Sequence, residues 1–127
     1  MQAQSATRPQ SILEEARAYW HKYLWHHRHP WTRRLHRIGS WICIAGAAAA
    51  ASGQGLFWLP LAIGVGYLFA FAGHWWVEQN RPLTFENPFR AGIANWVMFV
   101  FEMVGDVDGA IERLAHDPPD TEDMGSQ

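Results

Sequence analysis

Seven histidines stand in this chain of 127 residues, and three are placed where they could share one task. His74 and Glu78 are four apart, so on a continuing helix they lie on one face. His27 and His36 lie on either side of Pro30. Two or three imidazoles with one carboxylate, held on rigid helices, suit a first-row transition metal. Two His and a carboxylate with open positions is the pattern of non-haem iron(II) sites, and three His also suit zinc. The competing reading is a set of hydrogen-bonded structural histidines. His21, His26 and His116 read as surface residues, and His29 as a helix cap or a group behind the ligands. There is no Walker loop, G-x-S-x-G, C-x-x-C or dinucleotide fingerprint, so nucleotide chemistry and serine hydrolysis have no support. The single cysteine, Cys43, excludes an internal disulfide.

The elements that must position these histidines centre on Ile38–Val77, 40 residues without Lys, Arg, Asp or Glu. One crossing of a bilayer core needs about 20 apolar residues, so this run has room for two. Ser52-Gly53-Gln54-Gly55 reads as a tight turn near its middle. The expected architecture is all-α: an integral membrane helical hairpin with spans at 35–52 and 56–77. Pro60 then falls in the first turn of the second span, where its missing N–H is tolerated. The open ends of the hairpin share one side. Arg33, Arg34 and Arg37 precede it, Arg81 and Arg90 follow it, and the turn is uncharged. Both termini are therefore expected in the cytoplasm. This topology brings His27, His36 and His74 to one face at one depth. Trp31, Trp41, Trp75, Trp76 and Trp96 would mark the cytoplasmic interface and Trp58 the opposite one. The small residues of 45–51 are expected to pack against Gly64, Gly66, Ala70 and Gly73.

Around the hairpin, residues 11–115 read as one domain, with a polar, disordered segment at 1–10 and an acidic, disordered tail at 116–127. Ser11 and Glu14 form a capping box that starts a helix. Ile12, Ala16, Tyr19, Trp20, Tyr23, Leu24 and His27 give it an apolar face. That helix, of about 17 residues, should lie along the interface and pack on the hairpin mouth. Pro30 ends it and starts the next. Residues 81–89 read as a loop and 91–114 as one further helix, interfacial or inserted partway, stopped at Asp117-Pro118-Pro119-Asp120. Residues 1–40 carry a net +5 and residues 78–127 a net −7. The basic half flanks a span and fits anionic headgroups, so no nucleic-acid partner is implied. The N-terminus lacks a signal-peptide layout, so the hairpin itself should direct insertion.

Two stretches carry a resemblance. His27-Arg28-His29-Pro30-Trp31-Thr32-Arg33-Arg34-Leu35-His36-Arg37-Ile38-Gly39 resembles the motif H-x-N-P-x-N-R-x-L-H-x-x-G. Gly73-His74-Trp75-Trp76-Val77-Glu78-Gln79-Asn80-Arg81-Pro82 resembles G-H-x-x-x-E-x-N-R-P. Both occur, in this order around an apolar hairpin, in the Mpo-type 2-hydroxy fatty acid dioxygenases. Asn95-Trp96-Val97-Met98-Phe99 is similar to the short bacterial members. The resemblance covers about Tyr19–Leu114. It implies a membrane enzyme that uses Fe(II) and O2 to shorten 2-hydroxy fatty acids by one carbon. Carried over, His27, His36 and His74 would hold the iron, with zinc the lesser choice. Glu78 would be a ligand or base, and Asn80 and Arg81 would hold the substrate carboxylate. Two positions depart from the motif: Thr32 stands for the usual Asn, and His29 stands where Asn is frequent. His29 or Glu78 could serve as a fourth ligand. The partners implied are a membrane lipid or fatty-acyl substrate and O2, with room for a homo-oligomer. The rival readings are a small non-enzymatic membrane scaffold with a structural His cluster, and bis-His haem binding between the helices.

Overall fold

The structure, a computed structural model, describes residues 11–116. The polar N-terminus, the acidic tail and the Asp117-Pro118-Pro119-Asp120 stop lie outside the described residues. Among the described residues every regular element is helical: α1 (Ile12–Trp25), α2 (Pro30–Ala51), α3 (Trp58–Ala72), α4 (Pro88–Val104) and α5 (Val107–His116). A π-helical turn (Gly73–Glu78) prolongs α3, and a short 3₁₀ turn (Leu83–Phe85) precedes α4.

Local chemistry accounts for the helix ends. Ser11 caps α1 in a two-way capping box with Glu14. Pro30 opens α2 at a position that needs no N–H, and the His29 ring accepts from the Trp31 N–H. α1 stops at Trp25, so His26 and His27 belong to the turn rather than to the helix as expected. Gly53 and Gly55, both at positive φ, make the turn between α2 and α3.

α2 and α3 pack antiparallel through glycines. A Cβ on Gly39 would lie 2.7 Å from the Gly66 carbonyl oxygen, and one on Gly73 would lie 3.0 Å from Thr32 Cγ2. Gly46 meets Ala62 and the Trp58 carbonyl in the same way. Gly64 faces open space, contrary to expectation. α1 packs on α4 and α5 more than on the hairpin mouth. Tyr23 joins Leu83, Ala91, Ala94 and Met98 in one core, and Leu24 joins Val107 and Leu114 in a second.

One expectation is corrected, and the two-span reading is met in part. The helix read over 91–114 is two helices. Gly105 leaves helical geometry at the end of α4, and Asp106 accepts from the Gly109 N–H to start α5. Only one described helix, Trp58–Glu78, is long and apolar enough to cross a membrane, with a mean hydropathy of 1.2. α2 is long enough at 22 residues, but its first two turns carry Arg33, Arg34 and Arg37 and its second half is mildly apolar Ala and Gly. α4 leaves Phe89, Ile93, Val97, Val100, Met103 and Val104 exposed.

A buried centre of three histidines

His27, His36 and His74 arrive from three places in the chain: the turn after α1, the second turn of α2, and the π-helical turn after α3. All three are buried. Nε2 of His36 lies 3.2 Å from Nε2 of His27 and 3.2 Å from Nε2 of His74. The three rings meet nearly edge to face, with centroids 4.5, 4.5 and 5.1 Å apart.

The outer nitrogens decide what the inner ones can do. Nδ1 of His27 lies 2.6 Å from the Tyr23 carbonyl oxygen, which can only accept. Nδ1 of His74 lies 2.7 Å from Oδ1 of Asn80. The amide of Asn80 is oriented by its other end, where Nδ2 donates to the His26 carbonyl at 3.1 Å. Nδ1 of His36 lies 3.0 Å from Oδ1 of Asn95, whose Nδ2 donates to the buried Ser40 hydroxyl at 3.1 Å. A neutral imidazole has one N–H, and in each ring an oxygen acceptor claims it at Nδ1. Three Nε2 lone pairs are then left facing one another with no proton between them. A metal bonded to such nitrogens at about 2.1 Å holds them about 3.0–3.4 Å apart, so this donor set fits a metal ion. Burial, and next the neighbouring His36 and His74 rings, hold His27 well below the usual imidazole range, so it offers a lone pair at neutral pH.

The surrounding residues account for the two motifs. Thr32 is fully buried and donates from Oγ1 to the Gly73 carbonyl at 3.4 Å, where α2 crosses the π-helical turn. Arg33, expected among the residues facing the membrane surface, is buried. It donates to the His27 and Arg28 carbonyls at 2.9 and 2.8 Å, pairs with Glu102 at 3.6 Å and also bonds Asp108. It ties α4 and α5 to the turn that presents His27. Glu78 is not among the groups that converge with the three rings. Its Oε1 accepts from the His29 N–H at 2.6 Å and satisfies a free donor at the start of α2. His26, read as a surface residue, is buried, and its ring meets the Lys22 carbonyl at 2.9 Å. Arg81 is exposed, with its guanidinium 5.4 Å from the Phe85 ring centre. Asn95, Ser40 and the Tyr23 carbonyl had no place in the sequence reading of the site. Only Asn95, the one polar residue between Ala91 and Phe101, carried a signal.

A helical protein with a buried, preorganised three-histidine centre is the class defined by this geometry. Residues 13–107 match the 2-hydroxy-palmitic acid dioxygenase Mpo1-like family, and the chain belongs to that family. It finds no match among curated proteins and none among solved structures.

Proposed function

We propose that the protein is an iron(II)-dependent membrane dioxygenase that shortens 2-hydroxy fatty acids by one carbon. The observation that carries this reading is the convergence of three Nε2 lone pairs, each backed by an oxygen acceptor at Nδ1. His27, His36 and His74 would hold the metal, and the cavity they line would admit the substrate. Iron(II), when bound, supplies a centre that takes O2 and the hydroxyl and carboxylate oxygens of the substrate. The net change R–CH(OH)–COOH + O2 → R–COOH + CO2 + H2O balances without a further reductant.

The protein's own groups supply position. Asn80, Asn95 and the Tyr23 carbonyl fix the tautomer and tilt of the three rings. Glu78 and Arg33 hold the His26–His29 turn from opposite sides. In this reading Asn80 positions His74, since both ends of its amide are engaged, and Arg81 and Glu78 remain candidates for contact with the substrate head. The helix Trp58–Glu78 would anchor the chain in the bilayer with α2 beside it, and the histidines would sit at the cytoplasmic interface.

The scaffold reading needs an N–H between the ring nitrogens, and the three acceptors at Nδ1 favour the metal reading over it. Three rings this close leave no slot for a porphyrin plane, which weighs against haem. Metal analysis of protein purified in detergent tests the proposal. About one iron per chain, with turnover of 2-hydroxypalmitate that His74→Ala abolishes, supports it. Zinc would redirect the chemistry towards hydrolysis, and no metal after anaerobic Fe(II) loading would overturn it.

A further inference from the structure

A cavity of about 400 Å³ begins at the three histidines and follows the crevice between α2 and α3. Its lining changes along its length. Beside the rings stand Ser40, Asn95 and Thr84; farther along come Cys43 and Ala47 of α2 and Ile63 and Leu59 of α3. From His36 to Ala47 the axis of α2 advances about 16 Å. Gly39 and Gly66, which both line the cavity, bring the two backbones together. The far part is a groove open on one side, where Leu59 and Ile63 are partly exposed; its volume fits a single chain, and the polar end fits one head group.

We propose that this groove holds one acyl chain, with the head at the histidines and the tail directed towards the Gly53–Gly55 turn. Ala47 and Ile63 face the far part of that chain and set its preferred length. The inference rests on the dioxygenase reading for the identity of the head, and adds the orientation of the chain and the residues that measure it. A short chain ends before Ala47, whereas a palmitoyl chain passes it. Leu68 lies on the same helix but outside the cavity, and it is the control.

The test uses the full chain in detergent and reads binding rather than turnover. Palmitate carrying a diazirine at its terminal carbon should label Ala47, Leu59 and Ile63 on illumination, and unlabelled palmitate should displace it. Ala47→Phe should lower the affinity for palmitate relative to octanoate about tenfold, what one or two lost buried methylenes cost, while Leu68→Ala leaves the ratio unchanged. Labelling confined to the outward Leu68 or to the separate groove at Leu61, or labelling that palmitate does not displace, overturns the proposal. So does an unaltered palmitate-to-octanoate ratio in a folded Ala47→Phe protein. If Ala47→Phe does not fold, the labelling pattern of the wild type decides. Absence of metal or of turnover, with labelling as expected, would defeat the dioxygenase reading and leave the acyl site standing.

Discussion

Asn80 Oδ1 lies 2.7 Å from Nδ1 of His74 while its amide nitrogen holds the His26 carbonyl, so one side chain joins the π-helical turn to the turn that carries His27. Two of the three rings therefore depend on it. Asn80→Ala should lower metal affinity about 10- to 100-fold, as loss of a partner behind a ligand does, and isothermal titration or chelator competition would measure it. Asn80→Asp keeps the acceptor and loses the donor, so it should recover part of that affinity. Equal loss in both variants would mean that the bond to the His26 carbonyl is the one that matters.

Nε2 of His36 lies 3.2 Å from Nε2 of each of the other two rings. His36→Ala should remove more than nine-tenths of the bound metal, at least the tenfold that losing a supporting group alone costs. The helix content should hold, because the ring contributes no backbone bond. Metal content by mass spectrometry beside far-ultraviolet circular dichroism separates the two effects. Metal retained at wild-type stoichiometry would place the centre elsewhere.

Arg33 and Glu102 are both buried, with side-chain exposures of 5% and 8%. Removing the cation leaves the carboxylate without its partner and two carbonyls of the His27 turn without a donor. Arg33→Met should therefore cost about 3 kcal/mol of stability. Arg33→Met with Glu102→Leu should restore much of it, because the stranded carboxylate is gone. Asp108 is 80% exposed, so its own removal should cost little. Thermal unfolding of the four proteins in one detergent checks the ranking.

How much of this was legible beforehand follows from the distance over which each contact acts. The two motifs named His27, His36 and His74 because each stretch is contiguous and sits beside an apolar run. The helix starts at Ser11 and Pro30 were equally readable, since caps are written within four residues. Burial of Arg33 was not, because its partners are a whole fold away at Glu102 and Asp108. Nor was the Tyr23 carbonyl, since a backbone oxygen leaves no trace in residue type. The break at Gly105-Asp106 did carry a signal, a glycine followed by an N-cap residue, which the apolar pattern of α4 and α5 masked. The π winding at Gly73–Glu78, which a four-residue spacing does not reveal, replaces the α-helical geometry that the spacing of His74 and Glu78 assumed.

Gly39 and Gly66 set the approach of α2 and α3 beside the site. A Cβ on Gly39 would meet the Gly66 carbonyl at 2.7 Å, and backbone cannot swing aside as a side-chain tip can. Gly39→Val should destabilise the protein by about 1–3 kcal/mol through overpacking. Gly64→Ala, at a position that meets nothing within 4 Å, should be neutral or stabilising. Equal melting temperatures for both variants would show that the helices are not held at this separation.

His29 offers a sharper distinction, between a fourth ligand and a cap. Its ring lies at the surface and accepts from the Trp31 N–H at 3.2 Å, while its own N–H goes to Glu78. Those are the duties of an N-cap residue, and asparagine, frequent at this position of the motif, performs them better than most. If His29 is a cap, His29→Asn should keep both stability and metal content. His29→Ala should lose about 1 kcal/mol of stability, the usual cost of an absent cap, with metal content unchanged. If it were instead a ligand, both substitutions would reduce metal affinity by similar factors, because asparagine is a poor ligand for the metals that imidazole holds. Measuring metal affinity and thermal stability on the same two variants tells these cases apart, since the cap moves only the second quantity.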